Sequence, residues 1–173
     1  SEHLRELQDT AREALAEMRL LVFELRPPIL EQEGLMVALQ ARLQAVEGRA
    51  GLKTEFKTNL KERLPPNVEE GLYRIALEAL NNALKHAQAQ NIKVHLRQDE
   101  RTRTEPAGVT LEITDDGIGI DLATARERGG MGLSAMEERA VELGGRLTVE
   151  SVPGSGTRII LVWTIDEGEE PNE

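Results

Sequence analysis

The chain has 173 residues, 39% of them hydrophobic and 30% charged, with no cysteine and a formal net charge of −10. That length and composition suit one packed soluble domain with an extra element, and they exclude disulfides and thiolate metal sites. The negative charge and an aromatic content of 2% argue against a nucleic-acid partner, because neither a cationic groove nor a base-stacking platform is available.

No apolar run reaches the length of a bilayer span, and residues following Ser1 carry no signal-peptide pattern. A cytoplasmic setting fits, and a start at Ser1 without Met suggests a fragment. Leu4, Leu7, Ala11, Ala14, Met18, Leu21 and Leu25 alternate spacings of three and four, the seam of a coiled coil or helical bundle. Leu15 and Val22 widen the stripe, and Pro27 and Pro28 end this helix after Arg26. It could pack on its own domain, but the regular seam favours a bundle between subunits.

A second helix is expected from about Leu35 to Ala50, with Leu35, Leu39, Leu43 and Val46 inward and Gly48 and Gly51 closing it. Residues 52–60 alternate as a strand. Pro65 and Pro66 start a long helix to about Ala87, whose inward face holds Leu72, Ile75, Ala76, Ala79, Leu80 and Ala83. Strands follow around Ile92, Val94 and Leu96 and around Val109, Leu111 and Ile113. A helix over residues 133–143 stops at Gly144 and Gly145. A hairpin then joins residues 147–152 to 157–165 around residues 153–156, before an acidic tail. The order predicts an α+β fold, a two-layer sandwich of a mixed, mostly antiparallel sheet with helices on one face, preceded by a coiled-coil-like helix.

Three segments could carry chemistry. In residues 78–87 (EALNNALKHA), Glu78 and Asn82 are four apart and share a helix face. The Asn82 carbonyl is a hard oxygen ligand suited to Mg, Lys85 could reach a phosphate, and His86 could lie against a ribose or base. Alone, a solvated helix surface would explain Asn81, Asn82 and Lys85 equally well. In residues 115–120 (DDGIGI), Asp115 ends a strand beside Gly117 and Gly119. An Asp-Gly turn is the plain reading. The functional one makes Asp115 a carboxylate that accepts from the exocyclic amine of adenine and repels the carbonyl of guanine. In residues 129–133 (GGMGL), glycines precede a helix whose first amides could hold an anion. Residues 121–128 between the last two segments would be a mobile lid. No Walker loop and no spaced-glycine dinucleotide fingerprint is present. His3 and His95 are scattered and make no metal site.

Taken together, these segments resemble a known family. Glu78-x-x-x-Asn82 looks like the N box of the GHKL ATP-binding fold, Asp115-x-Gly117-x-Gly119 like its first glycine box and Gly130-x-Gly132 like its second. Residues 25–30 (LRPPIL), 133–145 (LSAMEERAVELGG) and 151–157 (SVPGSGT) bring the match closest to sensor histidine kinases of the NarL/DesK type. The resemblance implies ATP and Mg as cofactors, with Asn82 ligating Mg and Asp115 reading adenine. It implies that Lys85, His86, Gly117, Gly119, Ile120, Gly130, Gly132, Leu133 and Thr157 line the nucleotide. Glu78 matches the acid that activates water in ATPase relatives. Residues 1–28 would be the C-terminal helix of a dimerisation domain, 29–166 the catalytic ATP-binding domain and 167–173 an acidic tail.

The implied partners are a dimerisation domain carrying an acceptor His, a response regulator and a second copy in the full-length protein, with any membrane anchor upstream. One departure matters. The family's acceptor His is followed by an acidic residue and then Gln, whereas His3 precedes Leu4 and Arg5. The acceptor is therefore expected to be missing from this stretch. Competing readings are an anti-sigma-factor serine kinase, an ATP hydrolase or clamp of the gyrase or chaperone type, and a non-enzymatic dimerisation module.

Overall fold

A computed structural model describes residues 27–85, 87–101, 107–127 and 131–165. The expected opening helix at residues 4–25, His3 and the acidic tail lie outside the described residues. In chain order the elements are α1 (Pro28–Glu33), α2 (Leu35–Ala50), β1 (Lys53–Thr58), α3 (Pro66–Lys85), β2 (Asn91–Asp99), β3 (Gly108–Asp115), α4 (Leu122–Glu127), α5 (Met131–Glu142), β4 (Arg146–Ser151) and β5 (Thr157–Thr164).

Two of these differ from the sequence expectation. The short helix α1 follows the proline pair because Pro28 sits at its first turn, where a missing N–H costs nothing. Within the segment expected to be a mobile lid, for which no helix is expected, residues 122–127 form α4; Asp121 Oδ1 accepts the amides of Ala123 (3.0 Å) and Thr124 (3.3 Å), as an N-cap does.

The five strands form one sheet in the order β1-β2-β3-β5-β4. β1 and β2 are parallel, with α3 in the crossover between them, and the other three pairings are antiparallel. One face of the sheet offers Ile92, Val94, Leu96, Val109, Leu111, Ile113, Ile159 and Leu161, all buried. Against it pack Leu72, Ile75, Ala76, Ala79, Leu80 and Ala83 of α3 with Met136 and Ala140 of α5. Leu35, Leu39, Leu43 and Val46 of α2 extend the same core. This is a two-layer α+β sandwich.

The other face of the sheet is largely polar, in keeping with the lack of a second helical layer over it among the described residues. Arg158 on β5 reaches Glu112 on β3 (2.9 Å) and Glu150 on β4 (3.1 Å), and His95 on β2 meets Glu55 on β1 (3.2 Å). Among the described residues, no helix is long and apolar enough to cross a membrane.

A charge pair with a buried carboxylate and a half-exposed guanidinium joins α1 to α3. Glu69, only 1% exposed, accepts from Arg63 Nε (2.8 Å) and Nη2 (2.7 Å) and from the Leu64 amide (3.3 Å). The same guanidinium donates to the carbonyls of Leu30 (3.2 Å) and Glu31 (3.3 Å) at the end of α1. One side chain therefore ties α1 to the first turn of α3.

Candidate functional site

The site gathers at one end of the sheet. Antiparallel pairing sets Asp115, the last residue of β3, directly opposite Ile92 at the start of β2 and Thr157 at the start of β5. Thr157 in turn opposes Ser151 at the end of β4. Directly paired residues share a face. Asp115, Thr157 and Ser151 thus form a row across three strands on the face that the helices cover.

Asp115 is 9% exposed. The Gly117 amide donates to its Oδ1 (2.8 Å), and the backbone of its strand partner Thr157 lies beside the carboxylate. Burial lifts the Asp115 carboxyl above the ordinary aspartate range; the Gly117 amide and the Thr157 backbone pull the other way, and the charge of Asp116 adds a small upward push. The neighbour behaves oppositely. Asp116 is exposed and accepts from Asn91 Nδ2 (2.6 Å) and from the amides of Asn91 (2.8 Å) and Gln90 (2.8 Å). The Asn91 side chain, then the Asn91 and Gln90 amides, hold the Asp116 carboxyl below its usual range. Two adjacent aspartates are thereby divided: one is buried at the end of β3, and the other ties the turn to the chain leaving α3.

The glycine positions follow from close approach. The Ile118 amide donates to the Ala87 carbonyl (2.7 Å), and a Cβ on Gly117 would strike that carbonyl. Gly119 has φ 68° and passes against the Val152 carbonyl. A side chain at either position would force the 115–120 turn away from the end of α3 or from the β4–β5 hairpin.

Glu78 and Asn82 lie on α3, both half-buried, as their i, i+4 spacing predicts. Gly132, near the start of α5, is brought against them: a Cβ there would collide with Glu78 Oε1 and come 3.4 Å from Asn82 Nδ2. Lys85 is exposed at the last residue of α3. Leu133 packs in part against the core, and Ile120 is half-buried with its amide on Ser151 Oγ (2.9 Å). His86 and Gly130 lie outside the described residues.

Three contributors are not named as site residues from the sequence. Asp116 reads there as a duplicate of Asp115. Ser151 and Gly156 lie inside a stretch notable only for its resemblance to the family. The signal for Gly156 is the GSGT turn itself, since a Cβ there would strike the Asp115 carbonyl and φ is 75°. Ser151 has no such signal, because its role depends on what the hairpin sets beside it.

The donor set fits a magnesium nucleotide. Asn82, half-buried, brings its side-chain amide beside a glycine at a helix start, and its carbonyl is a hard oxygen ligand. The turn after the buried Asp115 carboxylate is bonded to Ala87, in the chain that leaves the same helix α3. Among the described residues no group of three or more His, Asp or Glu side chains could hold a metal ion. Asn82 is therefore suited to an ion that brings phosphate and water as its other ligands.

Comparison with known proteins agrees with this geometry. Residues 67–167 match the family described as histidine kinase-, DNA gyrase B- and HSP90-like ATPase. The chain is 38% identical, over 94% of its length, to an uncharacterised sensor-like histidine kinase of Chloroflexus aurantiacus, and covers 28% of that protein. It is 35% identical, over 91% of its length, to the signal transduction histidine-protein kinase/phosphatase DegS of Brevibacillus brevis, and covers 39% of it. The chain thus spans between about a quarter and two fifths of the length of these curated relatives. Its fold is that of the histidine kinase domain of the Erythrobacter litoralis EL346 blue-light activated histidine kinase, with a TM-score of 0.58, 22% identity and coverage of 76% of this chain and 58% of that one. A second structure of that kinase gives 0.59 at 20% identity, covering 81% and 48%. The chain belongs to the histidine kinase-, DNA gyrase B- and HSP90-like ATPase family, whose ATPase domain implies ATP as its ligand.

Proposed function

We propose that this chain is the catalytic ATP-binding portion of a two-component sensor histidine kinase, which passes the γ-phosphoryl group of ATP to a His on a dimerisation domain for relay to a response regulator. The observation that carries this reading is the Asp115 carboxylate, buried at the end of β3 with the Gly117 amide on it, in a fold whose α3 presents Glu78 and Asn82 to the start of α5. Residues 1–28 are read as the last helix of the dimerisation domain, 29–166 as the catalytic domain and 167–173 as a tail. The setting is cytoplasmic, the full-length protein a homodimer, and any membrane anchor lies in upstream sequence.

Bound Mg–ATP supplies the phosphoryl group and neutralises phosphate charge. The residues of this chain do the rest. Asp115 accepts from the adenine amine, and Gly117, Gly119 and Ile120 let the backbone close on the base. Asn82 gives an oxygen to Mg. Lys85, at the end of α3, serves a phosphate, His86 is read as serving the ribose or base and Gly130 as lining the nucleotide, and Gly132 and Leu133 bring the α5 amides to the phosphates. Glu78 supplies a carboxylate beside Asn82 to orient the incoming nucleophile. Phosphoryl transfer is mostly positioning and charge stabilisation, so this arrangement suffices once an acceptor is docked.

The test is incubation with γ-labelled ATP and Mg, with and without a separately supplied dimerisation domain containing the acceptor His. Acid-labile label is expected on the supplied domain and none on the chain alone. Acid-stable label on a serine would favour an anti-sigma-factor kinase, and rapid ATP hydrolysis without any acceptor would favour an ATPase clamp.

A further inference from the structure

Ser151 closes β4 opposite Thr157, and its one hydroxyl meets three groups from two other segments. The Ile120 amide donates to Ser151 Oγ (2.9 Å), Ser151 Oγ donates to the Gly156 carbonyl (2.9 Å), and Ser151 Oγ lies 3.0 Å from Thr157 Oγ1. Counting protons fixes the direction of the last contact. A serine hydroxyl has one proton and two lone pairs. The proton goes to Gly156, because a carbonyl oxygen can only accept. One lone pair takes the Ile120 amide. Only a lone pair remains for Thr157, so the Thr157 hydroxyl must be the donor.

The consequence falls on the ligand side. Once its single proton points at Ser151, Thr157 Oγ1 can only accept from anything else. Its strand partner Asp115 carries a buried carboxylate, and the Gly117 amide, which could have offered a donor there, is already bonded to it. The side chains of the row Asp115–Thr157 thus present acceptors.

We propose that Ser151 is a specificity-determining positioning residue: by holding the Thr157 hydroxyl proton, it keeps Thr157 Oγ1 as an acceptor beside Asp115, so that the pocket takes a 6-amino purine and rejects a 6-oxo purine. This rests on the adenine reading given above. Without Ser151 the Thr157 hydroxyl is free to turn and donate, and a 6-oxo purine gains a partner that the native pocket denies it. Discrimination by an unpaired or mismatched buried polar group is the stronger kind, since the penalty falls on the wrong ligand.

The experiment is calorimetric titration of the full 173-residue chain with ATP, GTP and ITP in the presence of Mg. The variants are Ser151→Ala, Ser151→Thr, Thr157→Val and the Ser151→Ala/Thr157→Val double variant. Ser151→Ala is expected to narrow the ATP-to-ITP and ATP-to-GTP affinity ratios by roughly threefold to tenfold, the worth of one hydrogen bond. Ser151→Thr keeps the hydroxyl and should restore the native ratios. In the Thr157→Val background, Ser151→Ala should leave the ratios unchanged, because the effect runs through the Thr157 hydroxyl. If Ser151→Ala does not fold by far-UV circular dichroism, Ser151→Cys replaces it, a similar shape with only weak hydrogen-bonding capacity. Equal loss of affinity for all three nucleotides would mean a merely structural role and would overturn the proposal. A native preference that survives Ser151→Ala overturns the role of Ser151 alone. A native chain that binds ATP and ITP equally overturns the adenine reading, and the proposal with it.

Discussion

Gly132 is seated against Glu78, so closely that a methyl group on it would run into Glu78 Oε1. The two lie on different helices, yet the start of α5 must pass over the one face of α3 that carries both Glu78 and Asn82. Because this contact is between a glycine and the far end of a side chain, an intrusion there displaces the carboxylate rather than the fold.

Gly132→Ala should therefore separate activity from stability. The helix gains from alanine what the displaced Glu78 loses, leaving stability within about 1 kcal/mol of native. Phosphoryl transfer to a supplied acceptor should fall by about tenfold to a hundredfold, the scale of an ångström-size misplacement. Urea denaturation and a labelled-ATP transfer assay measure the two. Native transfer by Gly132→Ala would remove Glu78 and the α5 amides from the mechanism.

Asp115→Asn should weaken ATP by roughly 1–3 kcal/mol, the cost of spoiling a hydrogen bond to a charged acceptor, and leave the fold intact. The raised carboxyl adds a pH signature. Burial lifts the folded pKa of Asp115 above the unfolded one, so its ionised form opposes folding at neutral pH, and that cost fades as pH falls through the raised value. ATP binding moves the other way, weakening over the same fall as the acceptor is neutralised, and starting above the ordinary aspartate range. Titrations from neutral to acid pH should show this in the native chain and lose it in Asp115→Asn.

The Arg63–Glu69 pair predicts an order of damage. Arg63→Met removes the partner of a carboxylate that is 1% exposed, whereas Glu69→Gln leaves an exposed guanidinium that water can reach. Arg63→Met should be the less stable variant by urea midpoint. It should also speed hydrogen exchange in α1, whose last carbonyls lose their donor. The reverse order would show that Glu69 is not held chiefly by Arg63.

The segment joining the 115–120 turn to α5 carries Arg126, whose Nη2 meets Glu137 on α5 at 2.8 Å, with both side chains exposed. Glu137→Gln should change global stability by less than about 1 kcal/mol, as exposed pairs do. It should, however, speed exchange over Leu122–Glu127 in the absence of nucleotide. Saturation with a non-hydrolysable ATP analogue should slow exchange over residues 121–133 in the native chain. Unaltered exchange at saturation would mean that this segment does not close over the nucleotide.

Much of this protein is legible in its sequence because the signals are local. The period of Leu72, Ile75, Ala76, Ala79, Leu80 and Ala83 fixes the buried face of α3, and that face leaves Glu78 and Asn82 on its flank. Alternation in Ile92, Val94 and Leu96 and in Val109, Leu111 and Ile113 decides which side of each strand meets the helices. Asp115 at a strand end ahead of two glycines stands out by residue type alone, since a turn needs those residues whatever surrounds it. The tertiary structure alone decided what depends on pairing across long sequence separations. Register between β3 and β5 sets Thr157 opposite Asp115, and register between β4 and β5 sets Ser151 opposite Thr157. The direction of one hydroxyl proton follows from those neighbours, and no local pattern encodes it. Likewise Asp116, which reads as a repeat of Asp115, becomes an anchor only because β2 pairs with β3 and brings Asn91 to its carboxylate. Side-chain periodicity is a property of each segment, but the partner of a hydrogen bond is a property of the fold.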